Sequence, residues 1–121
     1  MKFEDLEIWQ KAVCLSGNIY KEMRNLRDYG FRDQITRSGL SIPSNIAEGF
    51  ERSSQKEFLT FLSYARGSCG ELRTQIHIGM EICYINHEIG KPWIQETREI
   101  SAMITGLIKT RQKFLKGQGK I

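Results

Sequence analysis

The chain has 121 residues, 40% apolar and 26% charged, with two prolines, which suits one folded domain with a single core and excludes both a two-domain chain and extensive disorder. The formal net charge of +4 is concentrated at one end: Lys109, Arg111, Lys113, Lys116 and Lys120 all follow Glu99, the last acid, and the remaining thirteen basic residues face fourteen acidic ones, a formal charge of −1. The longest uncharged stretch, residues 38–47, is too short and too polar to span a bilayer, and Met1-Lys2-Phe3-Glu4-Asp5 lacks the apolar segment of a signal peptide, so a cytoplasmic location is expected.

The first periodic segment covers residues 6–26. Leu6, Trp9, Val13, Tyr20 and Met23 recur at helical spacing, with Ala12, Leu15 and Ile19 widening the stripe. Asp5 is placed to cap this helix and Phe3 to fold back on its first turn. Asp28-Tyr29-Gly30 then marks a turn.

Residues 31–50 carry an apolar line, Ile35, Gly39, Ile42, Ile46 and Gly49-Phe50, beside a polar line, Gln34, Arg37, Ser41, Asn45 and Glu48. Both advance in steps of three or four, so they are two faces of one helix. Pro43 cannot donate to the Gly39 carbonyl, which predicts a kink near residues 38–43, with a break as the fallback.

Ser54-Gln55-Lys56-Glu57 fits a capping box and is the sharpest local signal in the chain. From it, Phe58, Phe61, Leu62, Ala65, Cys69, Leu72, Ile76, Gly79 and Cys83 continue one stripe, predicting a helix on the order of 45 Å long. Residues 86–90 interrupt it. Pro92 suits the first turn of a last helix, whose stripe is Trp93, Thr97, Ile100, Ile104, Leu107 and Arg111. Fraying is expected near Gly117, giving a bundle domain over residues 1–116 and a flexible tail over 117–121. Four amphipathic helices with short connections predict an all-α, antiparallel up-down-up-down four-helix bundle.

Cys14, Cys69 and Cys83 form an odd set without a C-x-x-C pair, all within predicted helices, and are expected to be buried, inert thiols. The polar line of the second helix has a counterpart on the third, Arg66, Ser68, Glu71 and Gln75, so Arg37 with Glu71, or Arg66 with Glu48, can pair across helices. The alternative is a functional surface on which Arg37, Arg66 and Arg73 bind phosphates or a carboxylate. The basic C-terminal end likewise has two readings, helix-dipole complementarity with solubility or attraction to nucleic-acid phosphates.

Glu48 and Glu51, and Glu96 and Glu99, have the E-x-x-E spacing of magnesium-dependent all-α pyrophosphatases, but the third helix offers only the scattered Glu57, Glu71 and Glu81 to complete a site. Neither His77 nor His87 belongs to a Glu-x-x-His or triad motif, and the glycines form no phosphate loop. No catalytic site, metal, cofactor, membrane contact or small-molecule substrate is expected. The small residues Gly39, Ser41, Ser44, Ala47, Gly67, Ser68 and Gly70 instead suit close helix contacts, within the bundle or between subunits.

Phe3-Glu-Asp-Leu6 with Trp9 and Ala12, Gln34-Ile35 with Arg37, Ser41-Ile-Pro-Ser-Asn-Ile-Ala-Glu-Gly49, Phe58, Phe61-Leu62, and Ala65-Arg-Gly-Ser68 with Glu71-Leu72 together resemble the 23S rRNA intervening-sequence proteins. The resemblance covers nearly the whole chain. It implies a four-helix bundle assembled into a ring-like homopentamer in bacteria, and a relationship to the accessory variability determinant proteins of diversity-generating retroelements, basic barrels that bind nucleic acid and a reverse transcriptase. Two functions follow as expectations. One is a non-enzymatic, oligomeric accessory protein that binds RNA or DNA through Lys109, Arg111, Lys113 and Lys116 with Arg66 and Arg73. The other is a protein-interaction scaffold in which Arg37, Ser41, Asn45, Glu48 and Glu71, with the small residues, serve homo-oligomer assembly alone.

Overall fold

The computed structural model describes residues 1–119, with side-chain surroundings through Gly117. A short 3-10 turn, Phe3–Asp5, precedes four helices: α1 Glu7–Met23, α2 Tyr29–Glu51, α3 Gln55–Glu81 and α4 His87–Gly119. The register of their contacts gives their directions. Ser38 meets Glu71 and Ser41 meets Ser68, while Arg66 meets Thr105 and Arg73 meets Thr97. Partner numbers fall as residue numbers rise, so α2–α3 and α3–α4 are antiparallel. In α1 and α2, Ser16 lies beside Gly39 whereas Arg24 shares a groove with Arg32, the same antiparallel sense. The chain is an all-α four-helix bundle, in which α2–α3 is the most extensive contact and α1–α4 the slightest.

The core is aliphatic. Leu15, Ile19, Ile35, Ile42, Ile46, Leu62, Leu72, Ile76, Ile100 and Ile104 are fully buried, each stabilising the fold by about 1.5–3 kcal/mol relative to exposure. The α2 and α3 stripes match their predicted faces. In α1 the buried face is Ile8, Ala12, Leu15, Ser16, Ile19 and Met23, while Val13 and Tyr20 remain 40% and 46% exposed. Two overlapping helical stripes run along this segment, and α1 presents the one whose Ser16 and Ile19 fit against Gly39.

Helix ends also differ from their sequence signals. Asp5 lies in the 3-10 turn, where its carboxylate accepts from the Lys2 N–H at 3.1 Å, and Leu6 is the N-cap of α1. Phe3 does fold back, meeting Trp9 edge to face at 5.3 Å. Asp28 caps α2 by accepting from the Phe31 N–H at 3.2 Å. This helix continues through Pro43 without the break held as the fallback. Near Pro43, the Ser41 hydroxyl donates to the Ser38 carbonyl at 2.9 Å and the Asn45 amide to the Ser41 carbonyl at 2.8 Å.

Ser54 caps α3 by accepting from the Glu57 N–H at 3.1 Å. The Glu57 carboxylate points to Arg52, 3.9 Å away. Helix α3 stops at Glu81 instead of running to Cys83, because Cys83 adopts a left-handed conformation (φ 64°) and the Tyr84 and Ile85 N–H groups return to the Gly79 carbonyl at 2.8 and 3.0 Å. Helix α4 begins at His87, ahead of Pro92, since the Asn86 side chain accepts from the Ile89 N–H at 2.9 Å. Gly90 is therefore helical, packed against Met80 and Ile85. At the other end α4 passes Gly117 and reaches Gly119, while Lys120 and Ile121, the last residues of the expected tail, lie outside the described residues.

Gly49 and Gly79, like Gly90, admit close approach. A Cβ on Gly49 would lie 2.6 Å from Phe61 Cβ, and one on Gly79 would lie 2.5 Å from Ile85 Cδ1, whereas Gly106 has open space. Gly49→Ala is expected to lower stability by about 1–3 kcal/mol through overpacking, and Gly106→Ala to raise it by up to about 1 kcal/mol through helix propensity; thermal unfolding followed by circular dichroism checks both signs.

Candidate nucleic-acid interface

The sequence-predicted polar residues separate into three places. Between α2 and α3, Ser38 Oγ lies 3.0 Å from Glu71 Oε1, the Ser41 and Ser68 hydroxyls meet at 2.7 Å, and the Gln75 amide reaches Glu71 Oε1 at 3.4 Å. Ser41, Asn45 and Glu71 of the predicted stripe thus lie along this seam. Its proposed ion pairs do not form: Glu71 meets Ser38 instead of Arg37, and Glu48 turns along its own helix to Arg52 at 2.9 Å. Arg37 is exposed on the α1 side of α2, one position from buried Ser38 and so rotated by about 100°.

Arg66 and Arg73 turn the other way, toward α4. Arg66 donates to Thr105 Oγ1 at 3.2 Å, and Arg73 Nε to Thr97 Oγ1 at 3.0 Å. Thr97 is fully buried and donates to the Ile94 carbonyl at 2.6 Å, so Arg73 supplies the hydrogen bond that its oxygen would otherwise lack. Cys69, fully buried one turn away, has its thiol pushed up to about 11 by burial, against the opposing charge of Arg73. Cys14 and Cys83 are exposed, contrary to the expectation for all three: Cys14 lies off the α1 core face, and Cys83 in the turn that ends α3.

The predicted cations Lys109, Arg111, Lys113 and Lys116 share the C-terminal end of α4. Lys109, Lys113 and Lys116 are exposed, and their spacing of four and three residues puts them on one helix face. Arg111 is half-buried with its guanidinium 5.7 Å from the Phe58 ring centroid. Nearby, Arg52 covers the Phe61 ring at 4.9 Å. Arg52, Phe58 and Arg111 help to line a groove of about 320 Å³ at this end, together with Phe50 and Met1, and Phe114 is 51% exposed beyond it. Sequence reasoning missed Arg52; its signal was its position in the α2–α3 turn, which an antiparallel bundle brings to the C-terminal end of α4.

The glutamate pairs are not equivalent. Glu48 is engaged by Arg52, while Glu96 is half-buried between α1 and α4, its carboxyl raised by burial and then by Glu99, with Lys11 opposing the shift. Among the described residues no group of three or more His, Cys, Asp or Glu side chains is arranged to hold a metal, and no helix is long and apolar enough to cross a membrane.

The family model of the 23S rRNA-intervening sequence proteins matches residues 4–106. The chain belongs to this family. Its fold is shared by a crystal structure of a protein of unknown function from the S23 ribosomal protein family of Bacteroides thetaiotaomicron, with a TM-score of 0.79 at 24% identity, covering 84% of this chain and 98% of that one. No curated protein matches the chain. The span matched to the intervening-sequence family takes in the α2–α3 seam, Arg66 and Arg73, and ends before Lys109, so Lys109, Arg111, Lys113 and Lys116 lie beyond it.

The thiols give a direct check of this packing. At mildly alkaline pH a disulfide reagent is expected to modify Cys14 and Cys83 rapidly and Cys69 only on unfolding. Burial pushes the folded Cys69 thiol up to about 11 from an ordinary 9.0, so its contribution is complete below pH 9 and is lost as pH rises toward 11. That contribution is on the order of 3 kcal/mol, and Cys69→Ala is expected to flatten this part of the alkaline stability curve.

Proposed function

We propose that this intervening-sequence family member is a non-enzymatic, homo-oligomeric accessory protein that binds RNA or DNA in the bacterial cytoplasm, using the C-terminal end of α4. The observation that carries the reading is the continuity of α4 through Lys116. It turns a string of basic residues into a helical face bearing Lys109, Lys113 and Lys116, flanked by Arg111 and Arg52 over phenyl rings. A rigid cationic face can engage successive phosphates with release of counterions, and exposed Phe114 adds an apolar surface beside it. The resemblance to retroelement accessory proteins points the same way. Arg66 lies against Thr105, one turn before Lys109 on α4, and adds its charge beside this face, while Arg73 is held at the buried Thr97. Several potential nucleophiles and acids are engaged in structure: Ser38, Ser41 and Ser68 in the α2–α3 seam, Ser54 in a cap, and Glu48 in a pair with Arg52.

A scaffold role has its own observation. Tyr64 and Ile78 on α3 and Ile82 at its C-cap are 55%, 48% and 46% exposed, and Gly67 and Gly70 on α3 have open space around them. These residues suit packing between copies, and the family resemblance sets five as the number expected. The outer part of the α2–α3 polar seam would border such a contact, while Arg37 lies on the α1 side of α2.

Fluorescence anisotropy with labelled RNA and DNA, on protein whose mass is fixed by light scattering, separates the two readings. Binding is expected to weaken steeply between about 50 and 200 mM salt. Replacing Lys109, Arg111, Lys113 and Lys116 by Ala is expected to remove most of the affinity and reduce the salt slope by about 3. An intact oligomer that binds neither nucleic acid at low salt supports the scaffold alone.

A further inference from the structure

The bundle end opposite the α4 C-terminus holds a second concentration of positive charge, in a groove of about 560 Å³ between α1 and α2. Its walls carry Lys21 and Arg24 from α1, and Arg32 and Arg37 from α2. Arg32 pairs with Asp33 at 3.6 Å, the one acid on these walls, and covers the Tyr29 ring at 4.6 Å. Lys21, Arg24 and Arg37 form no ion pair among the described residues. Between these charges Tyr20 and Leu40 are 46% and 47% exposed. The groove thus brings together unneutralised cations and an accessible aromatic ring, the pairing that single-strand binding sites use.

The shape decides which nucleic acid fits. A duplex is read by an element that projects into its groove, whereas these cations border a recess between two helices, whose axes in such packings are about 8–10 Å apart. Along the helix axes Lys21 and Arg24 are separated by about 4.5 Å, and Arg32 and Arg37 by about 7.5 Å. The charges therefore form a track along both walls instead of a clamp around one phosphate. We propose that the α1–α2 groove binds a single-stranded nucleic-acid segment, with its phosphates on Lys21, Arg24 and Arg37 and a base stacked on Tyr20. The proposal rests on the nucleic-acid reading above and adds to it a strand-selective site that, unlike the α4 end, lies within the span matched to the family.

The test uses the full chain, a labelled oligouridylate and a labelled RNA hairpin. In anisotropy titrations Arg24→Ala/Arg37→Ala is expected to weaken oligouridylate binding about ten-fold or more and to reduce its salt slope by about 1.4, with hairpin affinity held within about two-fold. Tyr20→Ala is expected to cost about five-fold or more on the single strand, and Tyr20→Phe to restore it. Lys109→Ala/Lys113→Ala/Lys116→Ala should weaken both probes. In the unaltered protein, 5-iodouridine in the oligonucleotide should crosslink to Tyr20, a readout independent of how any variant folds. Equal losses on both probes, or no loss from the groove variants, overturn the groove while leaving the α4 site standing. Failure of the wild type to bind either probe overturns both. A fall in assembly mass accompanying the loss assigns the groove to contacts between copies and overturns the single-strand proposal.

Discussion

The close approach of α2 and α3 governs where the polar side chains of this protein go. Gly49 lies against Phe61 with no room for a Cβ, and farther along the seam Ser41 and Ser68 touch through their hydroxyls. Small residues permit the approach, and the approach then restricts what the seam can hold. A serine opposite a serine or a glutamate satisfies its polar atoms within that space, while an arginine side chain finds its place elsewhere. Arg37 accordingly faces α1, and Arg66 and Arg73 reach α4. Ser38 and Gln75 converge on Glu71 Oε1, while the Gln75 side-chain oxygen is buried without a protein partner, a costly arrangement for a polar atom.

The turns set the two ends of the bundle. At one end the Asp28 carboxylate joins the start of α2 to Tyr84 in the α3–α4 turn at 2.8 Å, and the Tyr84 ring meets Phe31 edge to face. The Phe31 N–H, then the Tyr84 hydroxyl, hold the Asp28 carboxyl below its ordinary range, and the same bond raises the Tyr84 phenol. At the other end Arg52 lies between Glu48 and Glu57, close to both helix termini that it joins. These connections carry antiparallel helices from one end to the other, and the bundle consequently has positive charge at both ends: Lys21, Arg24 and Arg37 around one groove, and the α4 cations at the opposite end.

Membership of the intervening-sequence family and a fold shared with an S23-family protein describe the scaffold. The reactive possibilities must still be read from sites, because one bundle supports many functions. Here the residues of the α1–α2 groove lie within the matched span 4–106, and Lys109, Arg111, Lys113 and Lys116 lie beyond it.

The helix count, the core faces of α2 and α3, and the Ser54 cap were legible in the sequence because local periodicity and side-chain capping act within a few residues. The C-terminal concentration of charge was equally legible, being a matter of composition along the chain. The partners of Arg37, Arg66, Arg73 and Glu48 were not. Spacing places such residues on a helix face, but a rotation of about 100° between adjacent positions changes which neighbour they meet. Nor could periodicity alone choose between the two stripes of α1, or show that Gly90 serves contact with Met80 inside α4 instead of a turn. The sequence by itself determined four amphipathic helices and their polarity. The tertiary structure decided which faces touch, where the arginines point and which distant cations share a groove, because those outcomes depend on the approach of backbones far apart in the chain.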